Sequence, residues 1–97
     1  MTIDTKKVGM LFPTGNLYIT RGAQEVVSHQ DIQSMMTRHL DGDWGLVGDE
    51  DWEANEQALI HGMRILSIYK TTKEEQLVWV ITEADRSATT ILLPEEY

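Results

Sequence analysis

Apolar residues recur every three or four positions in the first two-thirds of the chain, the spacing that places them on one face of an α-helix. A first short helix is predicted after Thr20, whose hydroxyl suits an N-cap. A second is predicted after Ser28, where Asp31 completes a capping box, and Gly42 should close it in the left-handed conformation. A third is predicted to begin at Asp49 and to end before the next glycine. The apolar contacts of the three helices, within them or just beyond their ends, are Ala23, Val26 and Val27; Ile32, Met35, Met36 and Leu40; and Trp52, Ala58, Leu59 and Met63, with Asn55 beside the last group.

The last third of the chain changes to the pattern of β-strands. Residues 63–70, 77–83 and 89–93 are rich in β-branched and aromatic side chains, and short polar turns separate them. Turns this short join antiparallel neighbours, so the pattern predicts a three-stranded antiparallel meander. The middle segment is apolar at both odd and even positions, so both of its faces are apolar. This indicates a central strand with Trp79 in the core. Helices should cover one face of this strand and the N-terminal segment part of the other.

The N-terminal segment contains two apolar stretches, residues 9–12 and 17–20, separated by a turn with proline and glycine. This composition leaves two alternatives open, a small hairpin or an extended arm. We expect residues 1–8 to be flexible. The predicted fold class is therefore α+β, with one two-layer domain over residues 1–97. An N-terminal arm or hairpin precedes two to three helices packed on the C-terminal meander.

Composition narrows the class of protein. The chain has 97 residues, enough for one hydrophobic core, and its 41% hydrophobic and 25% charged residues are ordinary for a globular domain. No apolar run reaches the roughly 18 residues of a membrane-spanning helix, and the first residues lack the apolar segment of a secretory signal. There is no cysteine. We therefore expect a cytoplasmic protein without disulfides that does not bind membranes.

The charge of the chain is strongly one-sided. Sixteen acids against eight bases give a net charge of −8, and the bases are scattered, so we expect no direct binding to nucleic acid. The acids are concentrated, with seven of them in residues 41–56 and no lysine or arginine among them. On the predicted third helix Asp49, Glu53 and Glu56 share one face about 10 Å long. Their spacing is of the same order as that of phosphates along DNA, which indicates a surface able to occupy a basic groove.

This acidic stretch also has a purely structural explanation. Acids in the first turn of a helix are favoured by the helix dipole, which accounts for Asp49, Glu50 and Asp51 without any partner. Trp44 and Trp52 flank the acidic loop, and each is either a core residue or, if exposed, an anchor for a partner. Both alternatives stay open. The candidate partner-binding residues are Asp43, Trp44, Asp49, Glu50, Asp51, Trp52, Glu53 and Glu56.

A second candidate site is the polar hairpin after the predicted central strand. It gathers carboxylates, a guanidinium and hydroxyls at one end of the sheet, a group that can bind a small polar ligand. Turns also recruit such residues for their own backbone, with Asp85 and Ser87 bonding turn amides and Arg86 pairing with Glu83 or Asp85. The candidate ligand-binding residues are Glu83, Asp85, Arg86, Ser87 and Thr89.

Residue types that carry catalysis or bind metals are not arranged for either purpose. The chain has no glycine-rich phosphate loop and no histidine close in sequence to the polar hairpin. None of His29, His39 and His61 has another histidine four residues away, so all three are predicted to lie on the surface. We therefore predict a protein that is not an enzyme and that has no metal site and no cofactor.

Several short motifs occur together in the second half of the chain. They are Asp43-Trp44-Gly45, Asp51, Asn55, Gly62, residues 64–67, Tyr69 and residues 79–97, of which Ile-Thr-Glu-Ala-Asp-Arg-Ser is the most specific. This set resembles a family of small proteins carried on bacterial plasmids, integrative elements and phage, over residues 17–97. The turn at residues 71–76 is longer than in that family. The resemblance implies a mobile-element setting and passes on no catalytic residues.

Two functional hypotheses follow. The first is a non-enzymatic binding or inhibitory protein that presents its acidic face to a basic protein. In the mobile-element setting this partner is a host nuclease or CRISPR effector, because small acidic proteins there often act as anti-restriction or anti-CRISPR proteins. The alternative is a small-ligand-binding or regulatory domain that uses the polar hairpin. A homodimer through an unpaired edge of the meander is a further expectation.

Overall fold

The structure, a computed structural model, describes residues 10–97, and the predicted flexibility of residues 1–8 lies outside them. Three helices and a four-stranded sheet form a two-layer α+β fold. The elements are β1 (Asn16–Ile19), α1 (Arg21–Val26), α2 (His29–Leu40), α3 (Asp49–His61), β2 (Ile65–Lys70), β3 (Leu77–Thr82), β4 (Ala88–Leu92) and a 3-10 turn (Pro94–Glu96). No helix in the described part of the chain is long and apolar enough to cross a membrane.

The sheet has the strand order β1-β4-β3-β2. The antiparallel meander of β2, β3 and β4 agrees with the prediction. A fourth strand was not predicted: β1 pairs in parallel with β4, with Asn16 opposite Ala88 and Ile19 opposite Ile91. Among the described residues the N-terminal segment is therefore an arm that joins the sheet, and the hairpin alternative is wrong. β3 and β4 both have neighbours on two sides, so the sheet has two central strands.

The helix ends follow the local signals in the sequence. The hydroxyl of Thr20 accepts a hydrogen bond from the backbone of α1, and Ser28 and Asp31 form the predicted capping box at α2. Gly42 follows α2 with φ of 84°, and Gly62 follows α3 with φ of 69°, both left-handed. A side chain at either glycine would be strained, which explains why the helices end there.

The hydrophobic core lies between the sheet and the helices. Its larger part joins α1 and α2 to the three strands of the meander, and its smaller part lies beneath α3. The buried residues of the first part are Ala23, Met35, Tyr69, Val78, Val80 and Ile91. Those of the second are Phe12, Trp44, Ala58 and Ile65.

The other face of the sheet is covered differently from the prediction. Trp79 is only partly buried, and the C-terminal turn covers it, with the Tyr97 ring tilted against it at 5.4 Å between ring centroids. The Glu96 carboxylate accepts hydrogen bonds from the Thr20 hydroxyl and the Gly22 backbone, which fixes this turn to the start of α1. The N-terminal segment does not lie on this face, because Phe12 packs among the residues beneath α3.

The outer edge of β2 is closed by residues from outside the sheet. The Asn55 side-chain amide donates to the Leu66 carbonyl at 2.7 Å, and its oxygen accepts from the Leu66 N–H at 3.1 Å. Two residues further along β2, the Ile68 N–H donates to the Trp44 carbonyl and the Leu46 N–H donates to the Ile68 carbonyl. Asn55 and the loop before α3 thus take the place of a neighbouring strand and fix the position of α3.

Candidate functional site

The acidic surface is the outward face of α3. The helix buries only Asn55 and Ala58, so the side chains opposite them point to solvent. Asp49, Glu53 and Glu56 occupy one stripe at i, i+4 and i+7, as predicted. The exposed acids of α3 are Asp49, Glu50, Asp51, Glu53 and Glu56.

These acids have no cationic partner among the described residues. The one salt bridge within residues 10–97 joins Arg38 to Asp43 and does not involve α3. Glu53 accepts a hydrogen bond from Gln57, and Glu56 accepts one from the Trp44 indole at 2.9 Å. The helix dipole accounts for the first-turn acids. Glu53 and Glu56 lie beyond the first turn, where the stabilising effect of the dipole on a carboxylate is weak.

Two apolar side chains flank the acidic stripe. Trp52 is 37% exposed, and Ile60, one helical turn beyond Glu56, is 71% exposed. A core position and a partner anchor were both left open for Trp52, and Met63, predicted with it among the apolar contacts of this helix, is 49% exposed. The α3 surface therefore combines negative charge with apolar area, the mixture found at protein–protein interfaces.

Two of the predicted partner-binding residues do not belong to this surface. Asp43 is held by Arg38, with Nε to Oδ2 at 2.8 Å, and it also accepts from the Gly45 N–H; the guanidinium lowers the pKa of Asp43 below its usual value. Trp44 is fully buried, stacked near Phe12, so its side chain is not available to a partner. Its structural role is to hold Glu56 through the indole N–H.

The polar hairpin does not assemble a ligand site around Arg86. The Arg86 guanidinium donates to the carbonyls of Met63 at 2.7 Å, Ala58 at 3.1 Å, Glu83 at 3.1 Å and Ala84 at 3.3 Å. The prediction that Arg86 pairs with a carboxylate of Glu83 or Asp85 is wrong, because the fold brings carbonyls at the end of α3 within its reach. Arg86 ties the hairpin to α3.

The other hairpin residues divide between the turn and the core. Asp85 accepts from the Ser87 N–H at 3.0 Å, as predicted, and hydrogen bonds from Ser87 lower the Asp85 pKa. Thr89 is fully buried, and Glu83 is exposed. The five residues therefore do not converge on one pocket. An open surface depression of about 370 Å³ lies elsewhere, on α2, lined by Gln30, Gln33, Ser34, Thr37 and Arg38.

A buried chain of polar side chains runs beneath the hairpin and was not predicted. His39 Nδ1 lies 2.6 Å from the Ser67 hydroxyl, and His39 Nε2 lies 2.9 Å from the Thr82 hydroxyl. The Thr82 hydroxyl lies 2.7 Å from the Thr89 hydroxyl, and the Thr89 hydroxyl donates to the Thr14 carbonyl at 2.8 Å. All four side chains are fully buried.

The direction of every bond in this chain follows from its last member. A carbonyl can only accept, so the Thr89 proton goes to Thr14, and Thr82 must donate to Thr89. His39 must then donate from Nε2 to Thr82, and because burial lowers its pKa to about 4, the ring is neutral at pH 7 and Nδ1 accepts from Ser67. The ring is a neutral imidazole with its proton on Nε2.

His39 is thus a core residue, and its predicted surface position is wrong. Burial, with a smaller effect of the Arg86 charge, lowers the pKa of His39 to about 4. The sequence did contain a signal, since His39 lies four residues after Met35 on the apolar face of α2. The Ser67–His39 distance suits a nucleophile and a base. Both side chains are fully buried, however, and the ring bonds to Thr82 rather than to a carboxylate. The pair is therefore not a hydrolase site.

No family model matches the chain, and no curated protein and no solved structure matches it either. The geometry of the site is therefore the basis for any functional proposal. Within residues 10–97, no three histidine or carboxylate side chains are grouped closely enough to hold a metal ion. Within residues 10–97, the outward face of α3 gathers five exposed carboxylates that internal salt bridges do not explain.

Proposed function

We propose that this chain is a small non-enzymatic binding protein that presents the outward face of α3 to a basic surface of another protein. The observation that carries the proposal is the set of five exposed carboxylates on α3 without a cationic partner among the described residues. The site consists of Asp49, Glu50, Asp51, Trp52, Glu53 and Glu56 from the predicted set, with Ile60 added.

The energetics of α3 support a role for a partner. Like charges at i, i+3 and i, i+4, such as Asp49 with Glu53 and Glu53 with Glu56, destabilise a helix by about 0.2–0.5 kcal/mol per pair. A cationic surface laid against the stripe relieves this repulsion and speeds association. Trp52 and Ile60 then supply apolar area that becomes buried on binding.

The class of partner follows from the spacing of the charges. The stripe from Asp49 to Glu56 is about 10 Å long, and its charge density is of the same order as that of a nucleic-acid strand. A basic groove that normally holds nucleic acid matches it. We propose a nuclease or CRISPR effector of a bacterial host as the partner, in keeping with the resemblance to mobile-element proteins, and an inhibitory role for this chain.

The test compares two variants of equal net charge. Asp49→Asn with Glu50→Gln and Glu53→Gln removes three charges from α3, keeps side-chain shape, and leaves the Glu56 bond to Trp44 in place. Glu25→Gln with Glu74→Gln and Glu95→Gln removes three exposed charges elsewhere. Each variant changes the net charge from −8 to −5, because three of the negative charges are removed.

The measurement is capture of proteins from bacterial lysate on the immobilised chain, followed by the affinity of each captured protein at 50 and 200 mM salt. We expect a basic protein that binds wild type and the control variant and loses at least tenfold in affinity with the α3 variant. Its binding should weaken as salt rises. Equal loss with both variants, or binding that does not depend on salt, contradicts the proposal.

A further inference from the structure

The two edges of the sheet differ in how far other residues cover their backbone groups. The outer edge of β2 is closed by Asn55 and by the loop before α3. At the opposite edge, β1 pairs with β4 alone among residues 10–97. The single side-chain hydrogen bond to an outward backbone group of β1 in this part of the chain is from Gln24 Nε2, which donates to the Ile19 carbonyl at 3.2 Å.

The backbone groups at the open edge follow from the parallel pairing. The Asn16 N–H donates to Ser87 and the Thr20 N–H donates to Ile91, so alternate residues of the strand face β4. Leu17 and Ile19 therefore direct their N–H and C=O groups away from the sheet. Within residues 10–97 the Leu17 N–H and C=O and the Ile19 N–H have no hydrogen-bond partner, so they can pair with another extended strand.

The side chains of β1 favour such pairing. The strand reads Asn-Leu-Tyr-Ile and contains no charged residue and no proline, the usual means by which edge strands avoid association. Leu17 is 43% exposed and Tyr18 is 54% exposed. Strand pairing would bury part of both.

The strand also fits a second copy of itself. When two β1 strands lie antiparallel about a twofold axis at Tyr18, Leu17 of each faces Ile19 of the other as a hydrogen-bonded pair. Leu17 and Ile19 lie on the helix side of the sheet, opposite Thr89 and Ile91 of β4, so apolar side chains meet apolar side chains. The two Tyr18 rings face each other on the other side, in the closer, non-hydrogen-bonded position. The Ile19 carbonyl has a second lone pair, so the Gln24 bond is retained.

We propose that β1 is a dimerisation strand, through which two copies of this chain join their sheets into one of eight strands. Twofold symmetry pairs one surface with itself, so a single uncharged strand is sufficient for a closed dimer. The interface is small and each chain carries a charge of −8, so the dimer forms in a concentration-dependent manner and is strengthened by salt.

This dimer would make the acidic surface bivalent. α3 is fixed at the β2 edge by Asn55, so pairing through β1 leaves the two α3 faces at the far ends of the joined sheet. Seven gaps between eight strands place the outermost strands about 34 Å apart. The dimer does not depend on the proposed function of α3, and the two respond to salt in opposite directions.

Sedimentation of wild type over a range of concentrations, at 50 and 500 mM salt, gives the first test. We expect a monomer–dimer equilibrium in which the dimer fraction rises with concentration and with salt. Leu17→Pro removes an outward N–H without breaking the ladder to β4, so it should give a folded monomer by circular dichroism. A wild type that remains monomeric under all conditions overturns the proposal.

A crosslinking experiment locates the interface. The chain has no cysteine, so Tyr18→Cys introduces a single thiol, and the two Cα atoms across the axis would lie about 4.5 Å apart, within disulfide range. Leu77→Cys, at a residue 42% exposed on β3, is the control. We expect mild oxidation to crosslink the Tyr18→Cys protein at least tenfold faster than the control. Equal rates, or a dimer that Leu17→Pro leaves intact, show a different interface and overturn the proposal.

Discussion

The buried His39 makes the stability of the fold depend on pH in a defined window. The pKa of His39 is about 4 in the folded protein against 6.5 for a free imidazole, because burial disfavours the charged ring. The folded state therefore binds the proton less readily than the unfolded chain. The contribution of the neutral His39 ring to the free energy of unfolding is fully present above pH 6.5 and is lost as the pH falls towards 4.

The size of the loss follows from the difference between the two pKa values. A difference of about 2.5 units, at 1.36 kcal/mol per unit, corresponds to about 3 kcal/mol of unfolding free energy. Between pH 6 and 4.5 the slope should approach 1.4 kcal/mol per pH unit. A loss of about 3 kcal/mol is a large part of the stability of a domain of this size.

Urea denaturation followed by circular dichroism, at half-unit steps from pH 7.5 to 4.5, measures this slope. His39→Gln keeps an amide that can both donate and accept but does not titrate, so it should be less stable at pH 7 by about 1–3 kcal/mol and should lack the slope. His29→Gln and His61→Gln alter exposed rings and should keep it. Four carboxylates with lowered pKa values, Asp31, Asp43, Asp85 and Glu96, begin to lower stability only below about pH 5, and they do so in wild type and in His39→Gln alike.

Two results would refute this reasoning. One is a wild type whose unfolding free energy is flat between pH 6.5 and 4.5. The other is a His39→Gln variant with the same slope as wild type, since this would assign the slope to other groups. The general loss of negative charge on acidification acts on both proteins alike, so the difference between them isolates the imidazole.

Two further predictions concern the residues that fix α3. Arg86→Ala removes four hydrogen bonds from a guanidinium to carbonyls and should lower the unfolding free energy by about 2–4 kcal/mol. Glu83→Gln should change the unfolding free energy by less than about 0.5 kcal/mol, because the Glu83 side chain is exposed. Urea denaturation of both variants tests this difference. Asn55→Ala leaves both backbone groups of Leu66 without partners and should cost about 2–3 kcal/mol, and hydrogen exchange at the Leu66 amide should rise faster than at central-strand amides; unchanged protection there would contradict the assigned bond.

The helices were predictable because their ends are encoded locally. The Ser28–Asp31 capping box and the glycines at 42 and 62 act within one helical turn, so the sequence contains the whole signal. The exposure of the α3 acids followed from the same periodicity. The meander was predictable because its strands are joined by short turns.

The parts that were missed depend on contacts between distant residues. β1 pairs with β4 at the other end of the chain, and nothing near Asn16 in sequence indicates a parallel neighbour. Arg86 was assigned to adjacent carboxylates, but its partners include the carbonyls of Ala58 in α3 and of Met63 just after α3. Trp44 was placed beside the acidic loop with its burial left open, and its packing against Phe12 and His39, which the sequence does not show, makes it a core residue.

The hydrogen bond from Trp44 to Glu56 connects the buried core to the acidic surface through one nitrogen. The chain has three tryptophans, so its nitrogen–proton spectrum should contain three indole signals, of which one belongs to Trp44. Any ion or protein that draws the Glu56 carboxylate away from this nitrogen will shift that signal. The molecule thereby carries its own spectroscopic reporter for occupancy of α3, in a position too deeply buried to respond to solvent.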